Sequence, residues 1–239
     1  SEYRVYLVMQ GNAARVAAQA LRDAIAAGDL AAAQTAWAAA RQPWRHIQPL
    51  AYRLSDLENT IDPRATYLAG READPAFTGY HRLEYGLFAQ YTTEGLLPIA
   101  DRLLADLDTL KTRLRAAPLD PQLLISLPVD TVERMAQSQI TEGENAYAGN
   151  DLADLQASVE GVAKLVGLLR AVVAPVDATL DDQIGARLQQ LEGDIAALKQ
   201  GDTFPPYAAI TAAQRKVLTG AMVALGEALG GLHTAIGMN

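Results

Sequence analysis

Residues 2–41 read EYRVYLVMQGNAARVAAQALRDAIAAGDLAAAQTAWAAAR. The stretch is rich in alanine, the residue with the highest helix propensity, and its larger apolar side chains recur at spacings of roughly three to four residues. Gly28 suits the end of one helix, and Asp29 suits the N-cap of the next. We therefore predict one helix over residues 2–27 and a second over residues 30–41, as the start of an all-α protein.

The helical pattern continues to the end of the chain, and no segment shows the clean alternation of apolar and polar residues typical of a strand. Pro43 suits the first turn of a third helix, which Pro49 is expected to kink or break. Residues 59–78 show no sustained period and predict a long connection, and such connections in bundles are often functional. Further helices are predicted over residues 79–90, 93–115, 130–148, 151–174, 177–200 and 211–237.

Three prolines, Pro118, Pro121 and Pro128, mark the best candidate for a boundary between two halves of the chain. We predict an N-terminal helical bundle over residues 1–117, a connection over residues 118–128 and a C-terminal bundle over residues 129–239. Because about four helices fall on each side, two four-helix bundles are the simplest architecture.

The composition of the 239 residues excludes several classes of function. Cysteine is absent, which rules out disulfides, thiolate metal sites and cysteine nucleophiles. The net charge of −8 disfavours nucleic acid as a partner, because an acidic protein repels phosphate backbones. No apolar run reaches the ~18 residues that a membrane-spanning helix needs, so we expect a soluble protein. The sequence also lacks a glycine-rich phosphate loop, a GxSxG elbow and an HExxH motif.

A candidate metal-binding pair lies in the segment TGYHRLEY at residues 78–85. His81 and Glu84 are three residues apart, so on a helix they share one face and can direct an imidazole nitrogen and a carboxylate at the same ion. The spacing alone is weak evidence, since a hydrogen-bonded surface pair would show it as well. Further acidic candidates are Asp56, Glu58 and Asp62, which cluster in the approach to the long connection, and Glu142 and Glu144, which lie near the C-terminal end of their predicted helix. Either a cation or solvation would offset the unfavourable position of the last two beside the helix dipole.

The segment GYHRLE at residues 79–84 carries the GxHxxE signature of the imelysin-like family. Other stretches match the family in the same order, and the match covers nearly the whole chain. They include Ala27-Gly28-Asp29-Leu30, Asp56-Leu57, Ile61-Asp62, Ile140-Thr141, Asp151-Leu152 and Val159-Glu160-Gly161. The chain thus resembles the imelysin-like family, and within it the iron-uptake proteins of the EfeO and EfeM type.

The resemblance implies two four-helix bundles that pack around a central cleft as one imelysin-like unit. It implies a transition metal ion in that cleft, held by His81, Glu84, Asp62 and Glu144, with iron expected and copper or zinc as alternatives. It also implies a periplasmic protein, with a signal peptide removed before Ser1, that serves an iron-uptake system beside an inner-membrane iron permease and other uptake components.

The sequence departs from the family pattern at positions expected in the cleft. Arg45 and Gln48 stand where relatives carry carboxylates, while Asn145 and Gly149 replace an acidic residue and a histidine. A guanidinium group opposes a hard cation, so the full family site is expected to be weakened or lost, or reduced to the four ligands named above.

Two other functions remain open. The family also carries a metallopeptidase label, but a His-x-x-Glu pair supplies only one histidine and one carboxylate, whereas catalytic zinc needs about three protein ligands and a general base. The sequence thus favours a binding protein over an enzyme. Some relatives are linked to acidic polysaccharides such as alginate, so an anionic polysaccharide is the alternative ligand, attracted by Arg45, Arg64, Arg71 and Arg82 if these arginines face the same cleft as His81. The residues expected to line that cleft are Arg45, Gln48, Arg82 and Tyr147.

Overall fold

Residues 2–237 are described by a computed structural model, and they form an all-α protein. Extended backbone pairing in that range is limited to one isolated bridge between Gln200 and Thr203. The predicted fold class is therefore confirmed. None of the helices within residues 2–237 combines the length and the apolar composition needed to cross a lipid bilayer.

The chain divides into two compact units. The N-terminal unit contains Tyr3–Ala117 and, in addition, the short segment Glu144–Gly149. The C-terminal unit contains Pro118–Gly143 and the chain from Asn150 onward. The N-terminal unit is therefore discontinuous in sequence, because a segment from the second half of the chain belongs to it.

The N-terminal unit is helical, with a long irregular connection in its middle. Its helices are α1 (Glu2–Ala26), α2 (Leu30–Ala51), α3 (Ser55–Ile61), α4 (Gly79–Glu84) and α5 (Leu97–Ala116). A π-helical turn at Tyr85–Ala89 extends α4, and the 3₁₀ turns Ala65–Tyr67 and Arg71–Ala73 lie between α3 and α4. Each long helix buries one apolar face, with fully buried side chains that include Leu7, Leu21, Trp37, Leu83, Leu107 and Leu114.

Helix α2 continues through Pro43 and Pro49, so the prediction of a helix end near Arg41 and a new helix at Pro43 is wrong. A proline inside a helix removes one backbone hydrogen bond and costs about 3 kcal/mol. Burial offsets this cost, because Trp37 and Trp44 on the same helix are inaccessible to solvent and large apolar side chains contribute about 1.5–3 kcal/mol each. The uninterrupted helix holds residues 41–48 on one rigid element.

The C-terminal unit has its own apolar core. Its helices are α6 (Pro121–Arg134), α7 (Ile140–Glu142), α8 (Asp151–Val173), α9 (Ala178–Ala196), α10 (Ala212–Gly230) and α11 (Leu232–Ala235). A π-helical turn at Met135–Gln139 joins α6 to α7. The Asp177 side chain caps α9, and Thr211 and Gln214 form a capping box at the start of α10. Core side chains include Val132, Leu155, Leu191 and Met222.

Two element boundaries differ from the sequence expectations. The stretch 118–128, expected to be a connection, contains the start of α6, because Asp120 accepts a hydrogen bond from the Leu123 backbone and Pro121 occupies the first turn. The helix expected to reach residue 148 ends at Glu142, because Gly143 adopts a left-handed backbone with a φ of +73°.

Gly79 allows the start of α4 to approach the end of α3 closely. Its φ of +68° is a left-handed conformation that glycine adopts readily. A Cβ atom at this position would lie only 2.0 Å from the carbonyl oxygen of Ile61, so a side chain does not fit. Asp62 directly follows Ile61, and His81 lies two residues after Gly79, so this close approach brings their side chains together.

Replacing Gly79 by alanine is expected to destabilise the N-terminal unit strongly, because the new Cβ overlaps backbone atoms that have no room to move. The matched control is Gly95→Ala, since Gly95 has a φ of +76° but an added Cβ there meets nothing within 4 Å. The control should cost about 1–2 kcal/mol, the usual penalty of a left-handed non-glycine residue, and Gly79→Ala at least about 3 kcal/mol.

Urea unfolding followed by tryptophan fluorescence measures this difference, because both tryptophans of the chain, Trp37 and Trp44, lie in the N-terminal unit. Equal losses of stability in the two variants would show that the close approach to Ile61 does not matter.

Candidate functional site

The N-terminal unit buries a group of ionisable and polar side chains, here called the polar centre. It consists of Arg41, Arg45, Gln48, Asp62, His81, Glu84 and Glu144. All of them are buried except Glu144, whose side chain is 11% exposed. Charged side chains are rarely buried unless they are paired, and they concentrate at functional sites. The polar centre is therefore the candidate functional site.

Helix α2 supplies Arg41, Arg45 and Gln48 to the polar centre. The three residues are spaced by four and then three positions, so they project from one face of the helix. This face is buried, as shown by Trp37 and Trp44 beside them. The helix thus carries two guanidinium groups into the interior of the unit.

Asp62 follows the last residue of α3, and both of its carboxylate oxygens have partners. Its Oδ1 lies 2.5 Å from Nη1 of Arg41 and 3.3 Å from Nε2 of His81. Its Oδ2 accepts hydrogen bonds from Nε1 of Trp44 at 2.9 Å and from Nε2 of Gln48 at 3.3 Å. The carboxylate is therefore compensated by charge and by donors on both sides.

The Arg41 guanidinium lies between aromatic rings as well as beside a carboxylate. Its central carbon is 5.6 Å from the centre of the Trp37 ring and 5.2 Å from that of Tyr80. A cation over an aromatic face is attracted by the ring quadrupole, and this attraction grows when the cation is desolvated. Trp37 in turn donates from Nε1 to the backbone carbonyl oxygen of Tyr80, which fixes the orientation of the Trp37 ring.

Helix α4 supplies the pair that the sequence singles out. Nδ1 of His81 lies 2.7 Å from Oε2 of Glu84, one helical turn away. The other oxygen of Glu84 accepts two backbone hydrogen bonds at 2.9 Å, from the N–H groups of Tyr147 and Ala148. Both ring nitrogens of His81 thus face carboxylates, Asp62 on one side and Glu84 on the other.

Glu144 joins the polar centre through Arg45. Its Oε2 lies 2.6 Å from Nη2 of Arg45, while Nη1 of Arg45 donates to Oε1 of Gln48 at 2.6 Å. The contact with Glu144 is a close ion pair, and the hydrogen bond to Gln48 is charge-assisted, a kind that is among the stronger ones in proteins. The arginine therefore connects the acidic side chain of the segment Glu144–Gly149 to helix α2.

The segment Glu144–Gly149 has a further anchor at Tyr147. The Tyr147 hydroxyl donates to Oε1 of Glu72 at 2.7 Å, and its ring centre lies 5.0 Å from that of Tyr85. Together with the two hydrogen bonds to Glu84, these contacts hold the segment independently of Arg45.

The ion pairs shift the pKa values of two members of the polar centre. Burial alone would raise the pKa of Asp62, but the Arg41 guanidinium and His81 hold it below its ordinary value of 3.8. Burial alone would lower the pKa of His81, but the Asp62 carboxylate and the hydrogen bond to Glu84 raise it above 6.5. Both shifts favour the charged forms, because each group lies beside groups of opposite charge.

The four candidate ligands lie in one cluster, although not all of them touch. His81 contacts both Asp62 and Glu84, whereas Glu144 is linked to them through Arg45 and Gln48. Of the residues expected to line a cleft, Arg45 and Gln48 are buried within the cluster. The other two, Arg82 and Tyr147, are half-buried.

Arg41 and Trp44 were missed by the sequence analysis, although both contact Asp62 directly. A signal for them exists, because Arg41, Arg45 and Gln48 recur at helical spacing among tryptophans. The predicted helix end at Arg41 concealed this signal, since the three residues share a face only if α2 continues.

The donor atoms of the polar centre are directed at one another. Within residues 2–237, no group of three or more histidine, cysteine, aspartate and glutamate side chains is arranged to hold a metal ion. Asp62 contacts Arg41 and His81, and Glu144 contacts Arg45. The guanidinium groups therefore occupy positions beside the carboxylates that a bound metal ion would take. A metal ion would have to replace at least one of these contacts.

Comparison with known proteins agrees with the helical architecture and the GxHxxE segment. A family model described as Imelysin (Peptidase_M75) matches residues 1–232. The chain is 34% identical over 239 residues to the iron uptake system component EfeO of Yersinia pseudotuberculosis, covering 100% of this chain and 64% of that protein. It is also 34% identical over 237 residues to the protein of the same name from Escherichia coli O157:H7, covering 99% of this chain and 63% of that protein.

This chain accordingly spans somewhat less than two thirds of the length of the curated relatives it matches. Because the family match covers nearly all of its residues, the chain belongs to the imelysin family.

Proposed function

We propose that this chain is a metal-binding component of an iron-uptake system, with the metal ion as its cargo. The proposal is supported by the printed name of its relatives, iron uptake system component EfeO, which match along the full chain. The observation that carries it is the polar centre, where three carboxylates and an imidazole lie together in the interior of one unit. Carboxylate oxygens and an imidazole nitrogen are donors that transition metals accept, and a metal ion would take them in exchange for contacts with Arg41 or Arg45.

The ligands we propose are His81, Glu84, Asp62 and Glu144. One imidazole and three carboxylates suit iron, and they also suit zinc, while copper is favoured by the general order of affinities. Iron is the expected cargo because of the relatives' name, with copper and zinc as alternatives. The hydrogen bonds from the Tyr147 and Ala148 backbone to Glu84 would orient that carboxylate, as outer contacts do at many metal sites.

The proposed location is the periplasm, and the proposed partners are an inner-membrane iron permease and other components of the uptake system. The supporting observation is again the relatives' name. The net charge of −8 suits this role, since an acidic protein attracts cations to its surface.

An anionic polysaccharide is less well supported as a ligand. Arg45, which was expected to line the polysaccharide-binding cleft, is only 1% exposed. Its guanidinium pairs with Glu144 and donates a hydrogen bond to Gln48. Its guanidinium therefore does not present a positive surface to such a ligand.

Metal titration tests the proposed function. We expect Fe³⁺ supplied as its citrate complex, Cu²⁺ or Zn²⁺ to bind the wild-type protein, and the double variant His81→Gln/Glu84→Gln to bind at least tenfold more weakly. A neutral amide supplies fewer and weaker donors than an imidazole or a carboxylate, which is the reason for the loss. Isothermal titration calorimetry measures the affinities, with circular dichroism as the check on folding.

The control for this titration is Asp56→Ala, which removes a carboxylate that is 68% exposed and paired with Arg113, outside the polar centre. It should bind as the wild type does. Equal binding by the double variant and the wild type would place the metal elsewhere and refute the ligand assignment.

The stability of the N-terminal unit is expected to fall as the pH rises past the pKa of His81. A group whose pKa is raised on folding stabilises the fold fully at pH values below 6.5, and this contribution is lost once the pH exceeds the folded-state pKa. Urea unfolding by tryptophan fluorescence across neutral and mildly alkaline pH measures the loss. The variant His81→Gln cannot be protonated and should show a flatter profile, so parallel profiles would contradict the imidazolium.

A further inference from the structure

We propose that Arg45 is an internal counter-ion of the polar centre, which competes with a metal ion for Glu144 and thereby lowers the affinity of the centre for metal. This inference rests on the proposed function, because it concerns the same ligands. It adds a residue that is not itself a ligand and that sets how tightly the ion is held.

Two of the three carboxylates of the polar centre already have a guanidinium partner without a metal ion. Arg41 pairs with Asp62, and Arg45 pairs with Glu144. Adding a divalent or trivalent ion to three carboxylates and two guanidinium groups would leave excess positive charge, which is costly in a medium of low dielectric constant. Metal binding therefore requires that some positive charge leaves or moves.

The two arginines cannot lose their charge, because a guanidinium group stays protonated in proteins. At least one guanidinium must therefore move away from its carboxylate or repel the ion.

Arg41 is the less movable of the two arginines. Its guanidinium lies over the rings of Trp37 and Tyr80 and pairs with Asp62, which is also held by Trp44. Arg45 pairs with Glu144, which is the most exposed carboxylate of the polar centre. Its pair with Glu144 is thus the one that an incoming ion reaches with the least rearrangement.

Glu144 should stay in position when Arg45 is removed. The segment that carries it is held by the hydrogen bonds from the Tyr147 and Ala148 backbone to Glu84 and by the bond from Tyr147 to Glu72. Loss of Arg45 would therefore leave the backbone at Glu144 in place and remove one positive charge from beside its carboxylate. A metal ion is the natural replacement for that charge.

The test compares Arg45→Met, which keeps much of the length of the side chain but not its charge, with Arg45→Lys, which keeps the charge. Isothermal titration with Zn²⁺ and with Fe³⁺ citrate gives the affinities, and the shift of the fluorescence-detected melting temperature on adding metal gives a second readout. We expect Arg45→Met to bind at least tenfold more tightly than the wild type, because one unit charge a few ångström away outweighs such a factor at an effective dielectric constant of about 20. Arg45→Lys should bind within about threefold of the wild type, and metal should raise the melting temperature most for Arg45→Met.

The outcomes separate this inference from the proposed function. The inference is supported if Arg45→Met binds metal more tightly than the wild type and if an added Glu84→Gln abolishes this binding. That result supports it even if the wild type binds no metal, in which case the proposed function fails. Equal binding by the wild type and Arg45→Met overturns the inference and leaves the function standing, whereas absence of binding in both overturns both. Should Arg45→Met not fold, Arg45→Gln, which retains a hydrogen-bond donor towards Glu144, is judged by the same criteria.

Discussion

A carboxylate buried in a protein has to be matched by positive charge and by hydrogen-bond donors. Asp62 is such a carboxylate, and the N-terminal unit has to supply its partners. Its partners come from α2 and α4, so these helices have to hold fixed positions relative to the end of α3. The continuity of α2 and the absence of a side chain at Gly79 both serve this requirement. The site and the packing of the unit thus depend on the same ion pairs.

The helical layout was largely predictable, because it follows from local signals. Alanine content and apolar spacing indicate helices, and the cap at Asp29 lies where the sequence predicts it. Apart from the helix that ends early at Gly143, the larger errors occur at prolines. Local propensity predicts a helix end near Pro43 and a connection around Pro121, but burial of neighbouring side chains and a favourable cap keep both regions helical.

The candidate site was predictable only where it is local. His81 and Glu84 belong to one helical turn, so their spacing alone indicates that they meet. The positions of Arg41 and Glu144 depend on which distant segments pack together, and a single sequence carries no direct signal for that. A guanidinium at position 45 is recognisable from the sequence as unfavourable for a cation, but its pairing with Glu144 emerges only from the structure.

The discontinuity of the N-terminal unit has a consequence for its biosynthesis. Residues 3–117 leave the ribosome well before Glu144–Gly149, yet Glu84 receives two backbone hydrogen bonds, and Arg45 its carboxylate, from that later segment. Buried charges that lack such partners are destabilising. The nascent N-terminal unit therefore cannot reach its final stability until the segment Glu144–Gly149 has been synthesised as well.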